Sequence, residues 1–86
     1  MNTALREFVS PFKRDENDNG SPEVQVAILS YEIGVLQKHI DQHKQDSDGK
    51  RSILKKVARR RKFLKYLKAN ALERYQLLSK KLGLKV

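Results

Sequence analysis

The stretch SPEVQVAILSYEIGVLQKHI, residues 21–40, opens with residues that start a helix and continues with the spacing that maintains one. Ser21 suits the N-cap position, because its hydroxyl can accept a hydrogen bond from a free backbone N–H. Pro22 suits the first helical position, and Glu23 places a carboxylate near the positive end of the helix dipole. Apolar residues then recur at steps of three and four: Val26, Leu29, Ile33, Leu36 and Ile40. The stretch therefore predicts a helix that buries one face.

The same apolar spacing returns twice further along the chain. One series is Ile53, Val57, Leu64 and Leu67, interrupted by Arg60, and the next is Ala71, Tyr75, Leu78 and Leu82. Asn70 with Glu73 predicts a capping box that separates the last two helices, and Gly83 predicts a C-cap. We therefore predict an all-α fold in one domain, residues 1–86, with an antiparallel three-helix bundle over residues 21–85. Two of its helices should each be about 20 residues long.

A shorter helix is expected before the bundle, within residues 1–14. It should run over about residues 2–9, with Leu5, Phe8 and Val9 as its apolar residues, and stop at Pro11. A helix of this length is marginal alone, so we expect it to be weakly anchored and mobile.

The charge of the chain is +9 and is unevenly distributed. Residues 1–48 hold five Lys/Arg and nine Asp/Glu, a balance of −4, whereas residues 49–86 hold fourteen Lys/Arg and one acid, a balance of +13. Between residues 50 and 68 there are ten cations and no acid. Clustered positive charges repel one another and favour a polyanionic partner. Nucleic acid is therefore expected in preference to a membrane surface.

Several classes of protein are disfavoured by what the sequence lacks. With no cysteine there is no disulfide framework and no thiolate site. No apolar run is long enough to span a bilayer and no targeting signal is recognisable, so we expect an intracellular protein with no membrane partner. The chain also lacks a phosphate-cradling glycine loop and a nucleophile elbow. We therefore expect neither an enzyme nor a small-molecule substrate.

Two histidines have a spacing that zinc ligands can use. His39 and His43 lie four residues apart on one helical face, but no third or fourth ligand accompanies them in a recognisable pattern. Asp46 and Asp48 share a loop, yet the run of acids and the closing glutamate of a calcium loop are missing. We expect no metal and no cofactor.

The run KKVARRRKFLKYLK, residues 55–68, is the main candidate for a binding surface. Lys55, Arg59 and Lys62 lie along one stripe of the predicted helix, and Tyr66 continues it. Cations at such a place can hold phosphates while a tyrosine stacks on a base or sugar. Tyr66 could equally be an aromatic residue at the rim of the core.

Four segments in order, GSPEVQVAIL, the H-x-x-x-H-K-x-D of residues 39–46, RRRKFLKYL of residues 59–67 and ERYQLLSKKLGLK of residues 73–85, resemble one family. It is the bacterial and organellar small-subunit ribosomal protein S-fifteen family, and the match runs from about Asp15 to Lys85. The resemblance implies a primary rRNA-binding protein that clamps a three-way junction and an adjacent minor groove and nucleates the platform of the small subunit. It also implies neighbouring platform proteins, a bridge to large-subunit rRNA, and a bacterial cytoplasmic or organellar ribosome.

The resemblance also implies two groups of RNA-binding residues. The junction group is Asn19, Gly20, Ser21, Gln25, Lys62 and Tyr66. The minor-groove group is His39, Asp46, Asp48 and Gly49. The cationic run adds expected phosphate contacts at Lys50, Arg51, Lys55, Arg59, Lys65 and Lys68.

The chain departs from the family pattern at the second group. The family's D-H-H-S-R-R-G reads DSDGKRS at residues 46–52, so a contacting serine becomes Gly49. We expect the minor-groove contact to be weaker or rewired, and Asp48 to serve as the N-cap of the third helix. The family's threonine is Asn19 here, and its arginine is Glu32.

Two other functions fit the sequence less well than RNA binding. A helical DNA-binding module would place a short recognition helix after a tight turn, with side chains for base edges. The cationic helix here is long, and its residues suit phosphates better than bases. A membrane-surface or partner-binding amphipathic helix would need an exposed apolar face, whereas three complementary apolar faces are available here to bury one another.

Overall fold

A computed structural model of the chain describes residues 3–13 and 20–83. The elements are α1 (Thr3–Val9), a short 3-10 helix (Ser10–Phe12), α2 (Pro22–Gln42), α3 (Ser47–Asn70) and α4 (Leu72–Leu82). The described residues contain helices and no strand, which confirms the predicted all-α fold. The two long helices have 21 and 24 residues, close to the expected length.

The start of α2 is built as its sequence predicts. The Val24 backbone N–H donates to the Ser21 hydroxyl oxygen at 3.3 Å, and Pro22 occupies the first turn. The end of α4 confirms the predicted C-cap, because Gly83 adopts a left-handed φ of 68°. That conformation costs glycine little, since it has no Cβ to clash with the following carbonyl.

The predicted caps of α3 and α4 were wrong. The N-cap of α3 is Asp46, whose carboxylate accepts the Gly49 N–H at 3.0 Å, whereas Asp48 already lies inside the first turn. Asp46 has the extended backbone that an N-cap needs, three residues before its donor. Asn70 does not cap α4: it is the last residue of α3, and its side-chain amide donates to the Tyr66 carbonyl at 2.9 Å.

The core has two parts, on two sides of the first half of α2. On one side Val26 packs with Leu67 of α3 and Leu78 of α4, as the apolar spacing predicts. On the other side Val24 and Ala27 pack with Val9, which is fully buried at the end of α1. Partly buried Phe12 contacts both clusters. The 3-10 turn thus continues the chain past Pro11 and carries an aromatic ring into the core.

Two polar contacts join α2 to α3 where the apolar series is interrupted. The Arg60 guanidinium donates to the Ser30 hydroxyl at 3.2 Å, and the Lys56 ammonium pairs with Glu32 at 3.3 Å. Both contacts are partly buried, so Arg60 can occupy a core-facing position because its charged end finds an acceptor. These two cations of α3 face the bundle.

Candidate nucleic-acid interface

A cleft of about 460 Å³ lies between the start of α2 and the middle of α3. Its lining consists of Pro22, Arg59, Lys62, Phe63 and Tyr66. Tyr66 is 56% exposed, so its ring is a surface group rather than part of the core. The cleft therefore combines two cations, two aromatic rings and a helix start at one place.

The turn before α2 adjoins this cleft. Gly20 is exposed, and a Cβ added to it would meet no described atom within 4 Å. Packing against the described residues therefore does not require glycine at this position. The backbone of Gly20 is accessible to close approach by a binding partner. Ser21 is occupied as the cap, while Gln25 follows Pro22 by one turn and is half-buried. Asn19, the remaining residue of the predicted junction group, lies outside the described residues.

A second arrangement lies at the turn between α2 and α3. Asp46 binds two partners: one carboxylate oxygen accepts the Gly49 N–H, and the other lies 3.0 Å from Nε2 of His39. The rings of His39 and His43 are 4.6 Å apart between centroids. The hydrogen bond from Gly49 lowers the pKa of Asp46 below its usual value, and the His39 ring lowers it further. His39 and Asp46 were both predicted site residues, and the structure brings them into contact.

Gly49 and Asp48 occupy different environments within this turn. Gly49 is buried, and a Cβ there would lie 2.9 Å from Oδ2 of Asp46 and 3.3 Å from a side-chain carbon of Ile40. Asp48 is exposed in the first turn of α3. The glycine makes room for the Asp46 carboxylate, and its contact with RNA stays a prediction.

The predicted phosphate-binding residues all lie on the exposed side of α3. They are Lys50, Arg51, Lys55, Arg59, Lys65 and Lys68. The Lys68 ammonium also lies over the ring of Tyr75, 5.9 Å from its centroid. A smaller cleft of about 260 Å³ is lined by Ser52, Lys55, Lys56 and Arg59. Eight of the ten cations between residues 50 and 68 are exposed, and the two that face α2 are the ones with polar partners there.

One contact beside the cleft is not suggested by the sequence. Arg74 of α4 donates two hydrogen bonds to the two carboxylate oxygens of Glu23, in the first turn of α2. The Glu23 side chain is only 12% exposed. The two residues are 51 positions apart, and no local pattern pairs them. Glu23 therefore has a tertiary role in addition to its place near the helix dipole.

Among the described residues, no group of three or more His, Cys, Asp or Glu side chains converges as a metal ion would require. No helix of the described chain combines the length and apolar character needed to cross a membrane.

The fold and this surface define a small, basic, all-helical protein whose exposed cations suit a polyanion. The family model of ribosomal protein S15 matches residues 5–85, and the chain belongs to this family of structural, non-enzymatic ribosomal proteins. This confirms the family predicted from the four sequence segments.

Relatives named small ribosomal subunit protein uS15 are similar over nearly the whole chain. The protein from Alkaliphilus metalliredigens is 45% identical over 83 residues, which cover 96% of this chain and 95% of the relative. The protein from Natranaerobius thermophilus is 48% identical over 80 residues, 93% of this chain and 90% of the relative. The protein from Photobacterium profundum is 51% identical over 78 residues, 91% and 88% of the two chains.

Proposed function

We propose that this chain is a structural constituent of the small ribosomal subunit and a primary binder of its rRNA. The family membership and the names of the relatives support the ribosomal assignment. The surface supports RNA as the partner, because eight exposed cations lie on one helix that has no acid between residues 50 and 68.

The three-way junction is proposed to bind at the cleft between α2 and α3, and this cleft is the observation that carries the proposal. Arg59 and Lys62 would hold phosphates, and the exposed Tyr66 ring would stack on a base or ribose. Gly20 would allow the RNA backbone to approach the turn. Ser21 would keep its cap while Gln25 offers hydrogen bonds nearby. Asn19 remains in the proposed group by its place in the sequence.

The minor groove of an adjacent RNA helix is proposed to bind at the turn between α2 and α3. Asp46 holds one edge of the His39 ring, which orients the ring before RNA arrives. A-form RNA presents 2′-hydroxyls and base edges in its wide minor groove, where an oriented imidazole can reach them. Asp48 would lie near phosphates and repel them, so this site should add less affinity than the junction.

The proposed setting is the platform of a bacterial cytoplasmic ribosome, since the relatives come from bacteria. There the chain would nucleate platform assembly, contact neighbouring platform proteins and contribute to a bridge with large-subunit rRNA. An organellar ribosome is the alternative setting.

The test is a titration at fixed salt of a three-way-junction RNA, with linear RNA and DNA duplexes of equal length as competitors. The junction RNA should bind at least tenfold more tightly than either duplex, because only the junction can fill the cleft and contact the turn before α2 at the same time. Equal binding to all three would reduce the surface to a non-specific polyanion site and overturn the proposal. Preference for the DNA duplex would favour a DNA-binding module.

A further inference from the structure

The Glu23–Arg74 pair joins the first turns of two helices. Glu23 lies in the first turn of α2, and Arg74 is the third residue of α4. The helix dipole favours a carboxylate at that end of a helix and disfavours a guanidinium there. The two hydrogen bonds that Arg74 donates to the Glu23 carboxylate offset its unfavourable position in α4. The contact between the two helices therefore accounts for an arginine that local helix preference does not.

The pair is one residue away from the cleft that lies between α2 and α3. Pro22 is the α2 residue in the lining of this cleft, and the other lining residues belong to α3. Glu23 follows Pro22 in the chain, and the next residue, Val24, donates its backbone N–H to Ser21. Because these residues share one helical turn, a rotation of that turn moves both the wall of the cleft and the turn before α2.

The other contacts of α2 constrain the rotation of its first turn less than this pair does. Val24 and Val26 pack into the two apolar clusters, and hydrophobic contact has no preferred direction. The polar contacts with α3 use Ser30 and Glu32, which lie about 10–14 Å further along the helix than Glu23. A planar guanidinium that donates two hydrogen bonds to one carboxylate fixes orientation as well as distance.

We propose that Arg74 is a positioning residue for the RNA junction. Through Glu23 it sets the orientation of the first turn of α2, and with it the shape of the cleft and the place of the turn at Gly20. The inference rests on the proposed function, because that function places the junction in the cleft. Arg74 does not line that cleft, so it acts through Glu23 and not by holding a phosphate there. A linear duplex held by the exposed cations of α3 does not depend on this geometry.

The experiment measures the affinities of full-length wild type and Arg74→Met for the three-way-junction RNA and for a linear RNA duplex of equal length. The temperature is one at which circular dichroism shows both proteins folded. Arg74→Met should bind the junction at least about fivefold more weakly and the duplex within about twofold of the wild type. Lys80→Met removes an equal charge from an exposed position of α4 and should leave both affinities within about twofold.

The outcomes of this comparison separate the inference from the proposed function. An equal loss of affinity for both RNAs in Arg74→Met would overturn the inference, because it would reduce Arg74 to a general source of charge. An unchanged affinity for the junction would overturn it as well. A wild-type protein that binds the junction no better than the duplex would instead overturn the proposed function.

Two further variants separate orientation from charge and from folding. Arg74→Lys keeps the charge but lacks the planar pair of donors, so it should lose part of the junction preference while its slope of log affinity against log salt stays that of the wild type. It carries the test if Arg74→Met does not fold. Full junction preference in Arg74→Lys would overturn the inference.

The last comparison asks whether Arg74 acts through Glu23. Glu23→Gln removes the charge of the carboxylate with little change of size, and it should weaken junction binding as Arg74→Met does. The double variant should bind the junction no more weakly than the weaker single variant, because both changes remove one and the same contact. Additive losses would show that Arg74 affects RNA independently of Glu23 and would overturn the inference.

Discussion

Arg74 in α4 donates two hydrogen bonds to the Glu23 carboxylate in the first turn of α2, and the two residues are 51 positions apart in the sequence. Glu23 is buried, while the Arg74 side chain is 37% exposed. Glu23 follows Pro22, which lines the cleft, and Ser21, which caps the helix. The pair therefore joins α4 to the helix start on which the proposed junction site depends.

Arg74→Met should destabilise the protein by about 2–3 kcal/mol, because it removes two charge-assisted hydrogen bonds from a nearly buried carboxylate. The expected loss of stability is smaller than for a fully buried ion pair, because Arg74 is partly exposed. Denaturant unfolding followed by circular dichroism would measure the change. Lys80→Met, at an exposed position of the same helix, should change stability by less than about 0.5 kcal/mol. Equal losses in the two variants would contradict a structural role for the pair.

The cap of α3 should make stability depend on acid pH. The pKa of Asp46 is lowered by the Gly49 N–H and by His39, so the folded state favours the ionised carboxylate. The stabilisation is complete above the unfolded-state pKa of about 4. It is lost as the pH falls through the lower pKa of Asp46 in the folded state. Asp46→Asn keeps a capping side chain but cannot ionise. The thermal midpoint of Asp46→Asn should fall less than that of the wild type between pH 5 and pH 2.5. Parallel plots of midpoint against pH for the two proteins would contradict the role of Asp46 as an ionised cap.

Gly49 and Gly34 should respond oppositely to replacement by alanine. Gly34→Ala should stabilise the protein by about 1 kcal/mol, because the position is inside α2 and a Cβ there meets nothing within 4 Å. Gly49→Ala should be destabilising, because its Cβ would displace the Asp46 carboxylate. NMR would show the loss of the His39–Asp46 contact as a changed chemical shift of the His39 ring relative to the wild type. An unchanged His39 ring shift in Gly49→Ala would contradict this account.

Tyr66→Ala and Gln25→Ala should each weaken binding of the three-way-junction RNA by about 1–3 kcal/mol, because each removes a proposed specific contact. Isothermal titration calorimetry at one salt concentration would measure both. Leu72→Ala removes a similarly exposed apolar side chain from α4 that does not line the cleft, and it should leave binding unchanged. A flat response at both Tyr66 and Gln25 would rule out the proposed junction contacts.

Lys55→Ala should act through phosphates alone. It should weaken the junction and the linear duplex by similar factors and lower the slope of log affinity against log salt by about 1. Filter binding across a salt series would measure both effects. A loss restricted to the junction RNA would instead make Lys55 a specific contact.

The helices were predictable because their signals are local. The step pattern of α2 and the Ser21 and Gly83 caps act within a few residues, and each appears in the structure where the sequence places it. The two wrong caps show the limit of this reasoning. Asp46 and Asp48 are both good caps by residue type. The choice between them depended on where the backbone leaves the turn and on the contact with His39.

The sequence by itself determined the helical class, the length of the two long helices, the family and the concentration of cations on one helix. The class, the helix lengths and the cation distribution follow from periodicity and composition, and the family follows from the four matching segments. None of these needs knowledge of distant contacts. Only the tertiary structure decided that Glu23 is held by Arg74, that Val9 is buried against Val24, and that Arg60 ends on Ser30. Each of these joins residues from different helices. Their pairing depends on how the helices are rotated and offset against each other, which no single helix specifies.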